Sequence, residues 1–271
     1  MDLNNDGYLD ILSGSYSRME QPMAGLFQVL WGQANGTFKK TAVLNGTDKK
    51  PLIIPGKDVE SICTRPMAVD WNGDGNLDLV VGNFEGSFYL FIGEGNGAFK
   101  PKPEVILAGK SLLKMRRSCH ADPFVVDWDG DGDLDLLSGS SGVQWAENIA
   151  GAGKPPELKP FKVLIKPGPE IKYEQPKLLS EQNLTGPASS TRIWVADVNS
   201  DGKLDILVGD HVTLISAAKG VSKEEFMKRS AKWSEDFNAP NAAKRFQELN
   251  KQRSEFMREE GTGFVWLYLR K

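Results

Sequence analysis

DWNGDGNLDLVVG, residues 70–82, recurs as DLNNDGYLDILSG from Asp2, DWDGDGDLDLLSG from Asp127 and DVNSDGKLDILVG from Asp197. Counting from the first Asp, positions one, three, five and nine carry Asp or Asn, position six is Gly, and a Leu-rich apolar run follows. Such a loop suits a hard cation. Ca²⁺ takes six to eight oxygens from carboxylates, carbonyls and water, and a tight turn at Gly lets alternate side chains and the seventh carbonyl converge. The predicted ligands are Asp2, Asn4, Asp6 and Asp10 with the carbonyl of Tyr8, and Asp70, Asn72, Asp74 and Asp78 with that of Asn76. The third and fourth sets are Asp127, Asp129, Asp131 and Asp135 with Asp133, and Asp197, Asn199, Asp201 and Asp205 with Lys203.

An EF-hand loop opens in the same way but closes on a bidentate Glu at its twelfth position. Here that position holds Ser13, Val81, Ser138 and Val208. The flanks disagree too, because an EF-hand needs helices whereas MAVDW, FVVDW and IWVADV are short and rich in β-branched residues. Each loop is therefore read as a metal-clamped β-hairpin.

The loops start 68, 57 and 70 residues apart, a period that points to propeller blades. A second shared element follows each loop: GLFQVLWG from Gly25, GSFYLFIG from Gly86, GVQWAEN from Gly142 and GFVWLYLRK from Gly263. Asn-Gly turns then open NGTFKKTAVL at Asn35 and NGAFKPKPEVIL at Asn96, with a looser PFKVLIK from Pro160. The unit reads as a four-stranded antiparallel blade. The expected fold is an all-β propeller, a single domain with blades near 1–50, 62–110, 119–167 and 190–271, the first and last incomplete. Residues 222–260 break the β pattern. Ser222 with Glu225 makes a capping box, and Phe226, Trp233, Phe237, Phe246, Leu249 and Phe256 fall at helical spacing around Pro240, predicting an α-helical hairpin inserted in the last blade.

At this point the chain resembles the FG-GAP and VCBS repeats, calcium-loop β-propellers of integrin α heads and of bacterial secreted proteins. DWNGDGNLDLVVGN with GSFYLFIGEGNGAF carries the likeness, which covers nearly all of the chain except residues 218–262 and lacks a clear FG and GAP pair. The resemblance implies about four Ca²⁺, one per repeat, and an extracytoplasmic location. It also implies that the cation turns share one face of the propeller. The opposite face would then gather Arg65, Arg116, Arg117, His120 and Arg192 from the strand starts, and Asn83, Glu85, Asp210 and His211 from the strand ends. A ring of Arg and His suits an anionic glycan or protein partner, because Arg pairs bidentately with carboxylates.

The formal net charge is −3, with fourteen aspartates in the four loops, so four Ca²⁺ would turn it to about +5. Basic residues are scattered rather than striped, which argues against nucleic acid. No apolar run reaches the roughly 18 residues that span a bilayer. The first loop starts at Asp2 with no strand before it, so further upstream residues, a signal peptide among them, are expected. Cys63 and Cys119 precede their loops by seven and eight residues, which fits either a disulfide or two reduced thiols. No nucleophile–base pair, phosphate loop or zinc signature is present, and the leading function is a non-catalytic binding module. The alternatives are a catalytic propeller acting on polysaccharide, as lyase or hydrolase, and a structural spacer in a larger secreted protein.

Overall fold

The computed structural model describes residues 1–16, 25–56, 61–115, 120–169 and 172–271. Among these, small antiparallel sheets are arranged as the four blades of a β-propeller, with two helices near the C-terminal end. Blade one holds β1 (Ile11–Ser13), β2 (Gln28–Leu30) and β3 (Ala42–Val43). Blade two begins with β4 (Arg65–Val69), β5 (Asp78–Gly82) and β6 (Phe88–Phe91). A hairpin of β7 (Gly93–Gly95) and β8 (Ala98–Phe99) then leads to its outer strand β9 (Glu104–Val105), and β10 (Leu107–Ala108) with β11 (Ser111–Leu112) forms a further pair. Blade three is β12 (Asp122–Val126), β13 (Asp135–Gly139), β14 (Val143–Ala146) and β15 (Lys162–Ile165). Blade four is built from β16 (Ser189–Ala196), the long β17 (Asp205–Ala217), β18 (Met257–Thr262) and β19 (Val265–Tyr268).

The strands after the second and third loops are covered on both faces, with every residue of DLVVG and DLLSG buried, whereas Ile11 of β1 is exposed. Successive blades pack face to face over three cores. Leu12, Phe27 and Val29 meet Leu79, Val81 and Phe91; Val80, Phe88 and Leu90 meet Val125 and Leu136; Leu137 and Val143 meet Ile193, Val195, Ile206 and Val208.

A repeated joint locks neighbours together. The carbonyls of Ser15, Asn83 and Ser140, at position fourteen of their copies, accept from the amides of Thr64, Ala121 and Thr191, where the next inner strand starts, at 3.0–3.1 Å. Glycine at position thirteen allows the approach, since a Cβ on Gly14, Gly82 or Gly139 would overlap the carbonyl of that same next-blade residue. The residue just before it, Cys63, His120 or Ser190, takes a left-handed φ of 55°, 72° or 51°.

The insert departs from the expected 222–260 helical hairpin at its end. Helix α1 (Lys223–Phe237) starts at Ser222, whose Oγ accepts from the Glu225 amide at 3.1 Å, and α2 (Phe246–Phe256) returns. Residues 257–260, read from sequence as helical, belong to β18, which pairs with Val212–Ala217 of β17. MREEGT has no apolar alternation to announce a strand, and the ladder offered by β17 decides its conformation. Phe226, Trp233, Leu249 and Phe256 are buried with Ile215 and Met257 in a core of their own, while Phe246 stays exposed. No helix among the described residues is long and apolar enough to cross a membrane.

Candidate functional site

Each acidic loop is wound around its first carboxylate. In the first, second and fourth loops the amides of positions five and six donate to the two oxygens of Asp2, Asp70 and Asp197 at 2.8–3.1 Å. In the third loop Gly130 and Gly132 do the same for Asp127, at 2.8 and 3.0 Å. The sixth-position glycines Gly7, Gly75, Gly132 and Gly202 have φ between 84° and 93°, a region costly for any residue with a Cβ.

The ninth position has a second task that its ligand role does not reveal. Asp10, Asp78, Asp135 and Asp205 are buried, and each accepts one amide from position two and one from the blade's third strand or the turn that follows it. The position-two donors are Leu3, Trp71, Trp128 and Val198, at 2.8–3.2 Å. The partners beyond the loop are Gly32, Gly93, Asn148 and Arg270, at 2.7–2.9 Å. This carboxylate staples loop to blade.

The donor set fits a hard cation. Carboxylate oxygens of Asp127, Asp129 and Asp135 lie within 4.8 Å of one another, and two oxygens sharing a Ca²⁺ at 2.3–2.6 Å are at most roughly 5 Å apart. In the other loops the third residue is Asn, whose Nδ2 donates to the fifth-position carboxylate at 3.0–3.1 Å and so bridges neighbouring oxygens. The third loop, with Asp129 in that place, lacks this bridge. Asp133 turns its side chain away to accept from Gly151 at 2.7 Å, leaving its carbonyl as the seventh-position oxygen.

Burial, with Asp129 adding repulsion, pushes Asp135 up from 3.8 to about 6. Burial likewise raises Asp129 and Asp133, and neighbouring carboxylates add to both. A raised carboxylate keeps in the folded state a proton that the unfolded chain has released, so its stabilising contribution is complete below 3.8 and lost as pH rises through about 6. Urea unfolding in EDTA should therefore show a lower midpoint above this window than within it, and excess Ca²⁺ should remove that deficit. A metal-free midpoint that rises across the window would contradict the assignment.

At the other end of the inner strands, roughly 16 Å from the loops at about 3.3 Å per residue, blades two, three and four bring side chains together. Arg65 of β4 and Arg192 of β16 both approach Asp122 of β12, at 4.0 and 3.7 Å. Arg65 also donates to the His120 carbonyl at 2.8 Å. Burial, then repulsion from Arg192, brings Arg65 down to about 10, while Asp122 is raised by burial in spite of both arginines. His120 stacks on Tyr16, meets Phe84 edge-on, and is lowered by burial and then by the two arginines.

Of the residues expected on this face, Arg65, His120 and Arg192 come together, and Asp122 joins them without having been singled out. The other described ones are engaged in the scaffold or apart from the cluster. Asn83 is buried and accepts from Ser87 through its side chain, and Glu85 forms an exposed ion pair with Lys114. Asp210 accepts from Ala188, Phe264 and the Trp266 indole, and exposed His211 accepts at its carbonyl from Ser189 Oγ. Arg116, Arg117 and Cys119 lie outside the described residues, and Cys63 is buried.

Residues 70–154 match the FG-GAP-like repeat. This FG-GAP-like segment starts at the second acidic loop and ends beyond β14, so it contains the second and third cages in full. Among curated proteins no sequence matches the chain. A solved chain of the Photorhabdus luminescens Tc holotoxin pore matches with a TM-score of 0.39 and 14% identity, over 73% of this chain and 8% of that one.

Proposed function

We propose that this protein is a non-catalytic binding module that is stabilised by calcium, about one ion per loop, and works outside the cytoplasm. Extracellular calcium modules bind in the range of roughly 10⁻⁴–10⁻³ M, which suits exposed loops filled where free Ca²⁺ is high. The predicted cage residues keep the roles given above, with the ninth carboxylate serving as both ligand and staple. Its partner is a glycan or protein carrying an anionic group, taken at the end of the inner strands opposite the loops.

The observation that carries the ligand reading is the sharing of one Asp122 carboxylate by Arg65 and Arg192. Two guanidiniums and one carboxylate leave an uncompensated positive charge, and neither contact is as short as a charge-assisted hydrogen bond of about 2.7–2.9 Å. An incoming carboxylate can take the fork of the exposed Arg192, with the charge of Arg65, which stays on the His120 carbonyl, behind it. Titration with oligogalacturonate and with an acidic peptide should show binding by one of them, and a neutral maltooligosaccharide should show none. Arg65→Ala with Arg192→Ala should abolish that binding at unchanged calcium affinity, and Arg192→Lys should weaken it through loss of the bidentate fork. Equal binding of charged and neutral probes, or full affinity in the double variant, would reject the site.

A further inference from the structure

Between blade four and the helical insert lies a cavity of about 530 Å³ that neither the calcium loops nor the arginine cluster uses. Pockets that hold small molecules measure roughly 300–1,000 Å³. One wall is the β17–β18 ribbon, in which Thr213 faces Gly261 and Ile215 faces Glu259. Side chains alternate along a strand, so His211, Thr213 and Glu259 share one face. That face turns toward α2, since Ile215 shares a core with Phe256. Gly261 leaves room on it, because a Cβ there would come within 3.3 Å of His211 Nε2.

The opposite wall is Arg253 of α2, which lies over the Tyr173 ring at 3.8 Å and donates through Nη2 to Glu259 Oε1. Its side chain is only 8% exposed, and its Nε has no hydrogen-bond partner among the described residues. Burying a donor without an acceptor is costly, so this guanidinium gains from an acceptor brought into the cavity. The Glu259 side chain is 41% exposed, so its carboxylate is open to a donor.

Charge decides the ligand. Arg65 and Arg192 share one carboxylate and carry a surplus, whereas Arg253 and Glu259 cancel. A lone anion or a lone cation would meet a repelling group beside the attracting one. A molecule with both signs on neighbouring atoms can lie antiparallel to the pair and make charge-assisted bonds to each. Tyr173, Pro169 and Val212 give the same cavity an apolar surface for a side chain. We propose that this cavity binds a free α-amino acid, with its carboxylate on Arg253 and its ammonium on Glu259. The site is separate from the anion site, and the insert has a task in it, because α2 supplies the arginine.

Isothermal titration calorimetry of the whole chain in Ca²⁺ against each of the common L-amino acids tests the proposal, and at least one should bind. Its amine analogue, which lacks the carboxylate, and its N-acetyl analogue, which lacks the ammonium, should each bind roughly 10- to 100-fold more weakly. Glu259→Gln should weaken the amino acid by a similar factor, and Thr213→Trp should fill the cavity and abolish binding, both with the wild-type far-UV spectrum. The Arg65→Ala, Arg192→Ala variant should bind it as the wild type does. No binding of any amino acid at millimolar concentration would overturn the inference. Equal affinity for either analogue would overturn it in favour of a simple cation or anion, and full affinity in folded Glu259→Gln would overturn it by placing the amino acid elsewhere.

Discussion

Chelation with EDTA should lower the thermal midpoint of this protein by many degrees, and added Ca²⁺ should restore it. Each loop gathers three to five aspartates, and the third holds three carboxylates within 4.8 Å with no amide bridge between them. A cation that binds only the folded state stabilises it by about 2.7 kcal/mol at a hundredfold excess over Kd. For a chain of this size about 1 kcal/mol moves the midpoint by roughly 2–4 °C, so a single filled loop is worth roughly 5–10 °C. The second, third and fourth loops join the first and second strands of their blades, so the gain is felt where the blades are built. Differential scanning calorimetry in EDTA, in Ca²⁺ and in Mg²⁺ checks this. Mg²⁺ should do much less, because it demands near-octahedral geometry at 2.0–2.1 Å and keeps its water.

Asp78→Ala should destabilise the protein even without metal, by roughly 2–6 kcal/mol. Both oxygens of this buried carboxylate are taken, by the amides of Trp71 at 3.2 Å and Gly93 at 2.7 Å. Truncation strands two buried donors, at about 1–3 kcal/mol each. Asp74→Ala is the control. Asp74 is exposed and accepts from Asn72 and Asn76 within its own loop, so its loss should be small in EDTA and large in Ca²⁺. Urea unfolding of both variants in both buffers separates staple from ligand. If Asp78→Ala were as mild as Asp74→Ala in EDTA, the staple would be refuted.

The loops were legible in sequence because their chemistry is written at fixed spacing within thirteen residues, and the blades because apolar runs and Asn-Gly turns repeat around them. Helices were legible from Phe226, Trp233, Leu249 and Phe256, whose spacing matches the buried stripe. What stayed hidden depends on partners distant in the chain. Asp122 gives no local signal, since only the packing of β12 between β4 and β16 brings it to Arg65 and Arg192. The ninth aspartate looks like one more ligand until its second amide partner, 13 to 65 residues away, is known. Cys63, His120 and Ser190 carry no local signal of their backbone conformation, yet they mark one left-handed position before the inner strand in each of blades two, three and four. Strand β18 is hidden for the same reason, because a polar segment becomes a strand only where β17 offers an edge.

All four loops of this chain should be calcium cages. Equilibrium dialysis of metal-free protein against Ca²⁺, with the bound metal counted by atomic emission, tests it most directly. Four ions per chain are expected, falling to three in Asp129→Ala, which removes one carboxylate of the third cage while leaving its staple intact. A chain that binds no Ca²⁺ under these conditions would contradict the account.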